Sequence, residues 1–164
     1  MTESKPIANI LIIDDESDVA SVIEAGLRRN EFATNAFTDS IKAMNHFQLH
    51  SREYCAVLSD IRMPGKTGFQ VAREAKKTNP DVKVILMSAF EIKEEFQKVM
   101  PSTQVDDFIT KPAHFEEIKS VLLKHVGQSS LLAAMLPRCR TDPIYTRFQY
   151  MTAYQFSIYI TPSF

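Results

Sequence analysis

Five short apolar runs, each closed by a polar residue and most followed by a stretch of helical spacing, restrict what this chain can fold into more than any other feature. The first, Ile7 to Ile13, is nearly continuous in β-branched and aliphatic residues, as a strand covered on both faces would be, and it stops at Asp14, Asp15 and Glu16. Val19, Val22, Ile23, Gly26 and Leu27 then recur at three-four spacing, one buried helix face. Phe32 to Phe37 is a weaker strand diluted by Thr34 and Asn35, and Ile41, Ala43, Met44 and Phe47 suggest a second helix capped near Asp39 and Ser40. The third strand runs from Cys55, read as a small buried residue, to Asp60. Helix three should begin near Gly68, turn Phe69, Ala72 and Ala75 inward, and end before Asn79-Pro80.

Val82 to Met87 is the fourth strand, followed by Ser88 and by a helix over about 91–100, with Ile92, Phe96 and Val99 on one face, that stops at Pro101. The fifth strand, about Val105 to Thr110, meets Lys111-Pro112, and a last helix carries Phe115, Ile118, Val121, Leu122 and Val126 before Gly127. Repeated strand-helix units argue for an α/β protein, a doubly wound five-stranded parallel sheet with helices on both faces, because right-handed crossovers deposit them there.

In such a sheet every strand opens its carboxyl end on one edge, and the ligand crevice lies just outside it. Asp14 with Asp15, then Asp60, Ser88 and Lys111 all stand at those ends. Taken singly, Asp60 is a turn residue, Ser88 a turn serine and Lys111 a solvated lysine; taken together they converge on one crevice. Three carboxylates there need a cation among them, or at least one must take up a proton, and a hard divalent ion with oxygen ligands, Mg²⁺ before Ca²⁺, is the natural partner. Phosphoryl transfer to a carboxylate uses all of these groups. Asp60 would be the nucleophile, Asp14 and Asp15 would hold the metal, Lys111 would pair with a phosphoryl oxygen or with Asp60, and the Ser88 hydroxyl would donate to another oxygen.

The net charge of -1 supplies no electrostatic reason to expect nucleic acid or an anionic membrane as a primary partner. The opening Met-Thr-Glu-Ser-Lys-Pro has no apolar core and no later run reaches a membrane span, so the chain is expected in the cytoplasm. Cys55 and Cys139 have no metal-ligand spacing, and no disulfide framework is expected.

Asp14-Asp15, the D-x-x-M-P-x-x-x-G string from Asp60 to Gly68, Ser88-Ala89 and Lys111-Pro112 together resemble the receiver domain of two-component response regulators over about residues 6–126. The resemblance implies a flavodoxin-like sheet of order 2-1-3-4-5, phosphorylation by a sensor histidine kinase or phosphotransfer protein with Mg²⁺, and a signalling surface made by helix four, strand five and helix five. Residue by residue, it makes Asp60 the phosphoacceptor, Asp15 a direct metal ligand with Asp14 acting directly or through water, and the Arg62 backbone carbonyl the third protein ligand. Ser88 falls on the family's switch hydroxyl, Lys111 on its lysine and Phe108 on its switch aromatic, which in this chain lacks a tyrosine hydroxyl. Arg62 and Phe90 fall where residues tune phosphate lifetime, an apolar Phe90 shielding the acyl phosphate from water.

Residues 128–164 depart from this pattern. They hold seven of the sixteen aromatics and three arginines against one acid, too short a segment for a winged-helix output module. Ser130 to Leu136 reads as a short apolar helix, and Phe148 to Ile160 alternate like a strand, a dimerisation or partner-docking arm or a poorly ordered extension. His46 and His50 stand one turn apart and read as a solvated face, while His125 reads as a residue near a helix end. The expected function is that of a phosphorylation-controlled signalling protein with no enzymatic or DNA-binding output and an unidentified downstream partner. A pseudo-receiver that binds partners without phosphate is the alternative. A haloacid-dehalogenase-like phosphatase would want a D-x-D nucleophile after the first strand, where this chain has D-D-E, and FMN binding would want a phosphate-cradling loop there.

Overall fold

A computed structural model describes residues 6–89 and 104–135, with side chains through Val126. The chain divides at Ala134 into two units, and the sheet belongs to the first. Phe90, the helix expected over 91–100 and the strand-like segment of the tail lie outside the described residues. The elements are β1 (Asn9–Ile13), α1 (Ser17–Arg29), β2 (Ala33–Phe37), α2 (Ser40–His50), β3 (Ala56–Asp60), α3 (Gly68–Thr78), β4 (Lys83–Ser88), β5 (Asp107–Thr110) and α4 (Phe115–Met135). All five strands pair in parallel in the order β2-β1-β3-β4-β5, the flavodoxin-like arrangement.

Strand alternation divides the core into two layers. Leu11, Ile13, Val57, Val84 and Leu86 face Met44 and Phe47 of α2 and Val71, Ala72 and Ala75 of α3. Ile10, Ile12, Leu58, Ile85, Met87 and Ile109 face Ile23 and Leu27 of α1 and Ile118, Leu122 and Val126 of α4. Because β1, β3 and β4 are covered on both sides, their apolar runs are continuous. Capping follows sequence. The Asp39 carboxylate accepts the N–H groups of Ile41 (2.9 Å) and Lys42 (3.0 Å), and Thr67 with Gln70 forms a capping box ahead of α3.

Local reading failed at several places. Cys55 is exposed and precedes β3, which starts at Ala56, so it is not a buried strand residue. Gly127 does not stop the last helix, which runs on to Met135 and takes in residues read as a separate helix from Ser130; an interior glycine costs only about 1 kcal/mol relative to alanine. His125 is therefore well inside α4, and its Nε2 lies 2.7 Å from Asp107 Oδ2 on β5. Nor is His46 merely solvated, because it sits 2.8 Å from the hydroxyl of buried Tyr54 and stacks on His50 at 4.5 Å.

Candidate phosphoacceptor site

Asp14 directly follows β1 and Asp60 ends β3, neighbouring central strands whose onward connections leave in opposite directions, α1 to one face and α3 to the other. A crevice opens at such a switch point. Lys111 follows β5 and reaches back across it, its Nζ 2.8 Å from Asp14 Oδ2 and 2.7 Å from Asp60 Oδ1. The backbone is anchored there, the Lys111 N–H donating to the Ser88 carbonyl at 2.6 Å.

Each carboxylate also accepts from its own strand end. The Glu16 N–H donates to Asp14 Oδ1 at 3.1 Å, and the Arg62 N–H donates to Asp60 Oδ2 at 2.7 Å. Asp14 is fully buried, Asp60 and Ser88 nearly so, while Asp15 and Arg62 are exposed. Burial alone would push the Lys111 ammonium down, but its hydrogen bonds and charge interactions with Asp14 and Asp60 outweigh that and hold it above the ordinary lysine value. Two carboxylates, Asp14 and Asp60, share this one ammonium, and the exposed Asp15 follows Asp14 in the chain. The donors are hard oxygens, so the set fits a small divalent cation that keeps several waters. Among the described residues no three carboxylate, imidazole or thiolate side chains gather into a cage, which such an ion does not require.

The structure thus brings Asp14 and Asp60 onto Lys111 and puts Ser88 beside them through the backbone, while Asp15 is exposed next to Asp14 in the chain. Phe108 is half-buried on β5, packed against the α2/α3 layer with its ring 6.3 Å from Phe69. A cleft of about 580 Å³ opens next to Lys111, lined by Glu16, Val19, Val22, Met87, Ala89 and Pro112. Sequence reasoning overlooked Asp106 and Asp107, which tie β5 to its surroundings: Asp106 pairs with Lys76 (2.7 Å), Asp107 with Lys124 (2.9 Å) and His125. Two adjacent acids opening a strand were the only signal available.

The family model described as the response regulator receiver domain matches residues 10–123. This chain belongs to that family. Receiver domains are signalling domains of two-component systems. Among curated relatives, the transcriptional regulatory protein TctD of Salmonella typhimurium is 29% identical over 123 residues, 73% of this chain and 54% of that protein. The chain therefore spans about half the length of that relative. Among solved structures, a receiver domain protein from Clostridium thermocellum superposes with a TM-score of 0.66 at 22% identity, covering 76% of this chain and 98% of that one. The Thermotoga maritima response regulator TrrA, solved in complex with Mg²⁺ and BeF, has a TM-score of 0.61 at 28% identity over 71% of this chain and 97% of its own. Among the described residues no helix is long and apolar enough to cross a membrane.

Proposed function

We propose that this receiver domain accepts a phosphoryl group on Asp60 from a phosphohistidine of a sensor kinase or phosphotransfer protein. The observation that carries the reading is the Lys111 ammonium, which follows β5, in simultaneous contact with Asp60 at the end of β3 and with Asp14 just after β1. An Asp60 oxygen attacks phosphorus, a P–O bond forms as the P–N bond breaks, and the departing imidazole nitrogen keeps the bonding electrons and takes a proton from solvent. Lys111, already aimed at Asp60, follows the charge as it moves onto the phosphoryl oxygens, and Ser88 donates its hydroxyl to one of them. Asp14, Asp15, Asp60 and the Arg62 carbonyl are the groups that would hold Mg²⁺, which when bound neutralises charge on the transferring group.

Signalling then passes through Ser88 and Phe108 to the surface of the 91–100 segment, β5 and α4. Phe90 and Arg62 tune how long the acyl phosphate lasts. On this reading residues 6–126 are the receiver and 128–164 an arm for dimerisation or docking, in a cytoplasmic protein whose own contacts are with proteins and not with DNA. Similarity to a transcriptional regulator supports a regulatory role but covers only half of that relative. The test is intact mass after incubation with Mg²⁺ and a small acyl-phosphate donor. One added phosphoryl group is expected on the native chain and none on Asp60→Asn. An unmodified native chain that still binds a partner would favour the pseudo-receiver instead.

A further inference from the structure

We infer that Ser40, the first residue of α2, is a positioning residue for the loop between β3 and α3, and that its hydroxyl strengthens Mg²⁺ binding at the Asp60 site. The inference rests on the phosphoacceptor function proposed for Asp60. Ser40 is 1% exposed, and its Oγ is used twice across that loop: it donates to the Pro64 carbonyl and accepts the Lys66 N–H, both at 2.8 Å. Between those two contacts Gly65 has φ 82°, and a Cβ there would lie 3.0 Å from Ser40 Oγ and 3.1 Å from the Ile41 side chain. The turn is thus pressed onto the start of α2 at a position only glycine fits.

The ends of the loop are tied separately. The Arg62 N–H donates to Asp60 Oδ2 at 2.7 Å, and the Gly68 N–H donates to the Ile61 carbonyl at 2.9 Å. Its middle is braced by Ser40 and by the Lys66–Glu74 ion pair, and that pair is roughly one-third exposed and so contributes little. Arg62, Met63 and Pro64 are consecutive. Proline fixes its own φ and restricts the residue before it, while the Met63 side chain is buried in the core. A shift at Pro64 therefore passes to the Arg62 peptide, whose carbonyl is the proposed backbone ligand.

The test uses the full chain, with Mg²⁺ affinity from titration calorimetry and hydrogen exchange at the Lys66 amide. Ser40→Ala is expected to weaken Mg²⁺ binding about five-fold, the scale of one or two lost hydrogen bonds, and to speed exchange at Lys66. Phosphorylation at saturating Mg²⁺ should remain within about two-fold of native, since Asp60 and Lys111 are untouched. Glu74→Gln should leave the affinity unchanged. Gly65→Ala, which keeps the hydroxyl but forces the turn away from it, should weaken Mg²⁺ binding as well and serves if Ser40→Ala does not fold. Native affinity in Ser40→Ala, or in Gly65→Ala where that variant stands in, overturns the role of Ser40 while leaving the phosphoacceptor reading intact. A native chain that takes up neither Mg²⁺ nor a phosphoryl group overturns both.

Discussion

Lys111 is one ammonium shared by two carboxylates, and most of what this site can do follows from that ratio. Removing it leaves buried Asp14 facing Asp60 with no cation between them. Lys111→Met is expected to destabilise the chain by about 3 kcal/mol in urea melts without Mg²⁺. Added Mg²⁺ should recover part of the loss by supplying the missing charge. A deficit indifferent to the ion would show that Asp14 and Asp60 do not face a metal. If Phe90 shields the acyl phosphate as proposed, the acyl phosphate of the native chain should outlast that of Phe90→Glu, measured with radiolabelled donor, because a carboxylate draws water where a phenyl ring excludes it. The strand-end residues were legible because an apolar run that stops abruptly at an acid marks both a strand terminus and a crevice. Ser40 was legible only as a cap. That its hydroxyl meets Pro64, 24 residues later, depends on how closely α2 approaches the loop.

At the scale of elements, the joints are made by contacts that no local pattern announces. A Cβ on Gly26 would lie 2.6 Å from the Phe115 ring, so α1 carries glycine where α4 begins to cross it. Gly26→Ala should cost about 1–3 kcal/mol by overpacking, and Phe115→Leu in the same chain should restore part of it; equal losses in single and double variants would disprove the contact. β5 is short and held by its acids. Burial pushes the Asp106 carboxyl up, but the Lys76 hydrogen bond, the Val84 N–H and the charges of Lys76 and Lys83 hold it below its ordinary 3.8. A carboxylate lowered in this way stabilises the fold above its unfolded value, and that contribution disappears as pH falls through the still lower folded value. Native protein should therefore lose stability below about pH 4 more steeply than Asp106→Asn, which lacks this group and starts less stable at neutral pH. Parallel melting curves across that window would show it.

For the molecule as a whole, a chain ended after Met135 preserves α4 to its last described residue, which a cut at Gly127 would not. If residues 136–164 carry self-association, light scattering should find the shortened chain at lower mass than the full one, and equal masses would remove the arm from consideration. The sequence by itself determined the sheet, its parallel sense and the edge on which the acids lie, because strand alternation, double burial and the right hand of crossovers are local or nearly local constraints. Only tertiary structure decided which cation stands between Asp14 and Asp60, how far α4 runs past Gly127, and that Asp107 and His125 meet. Those outcomes depend on distances between elements remote in the chain, and side-chain volumes and packing, not periodicity, set such distances.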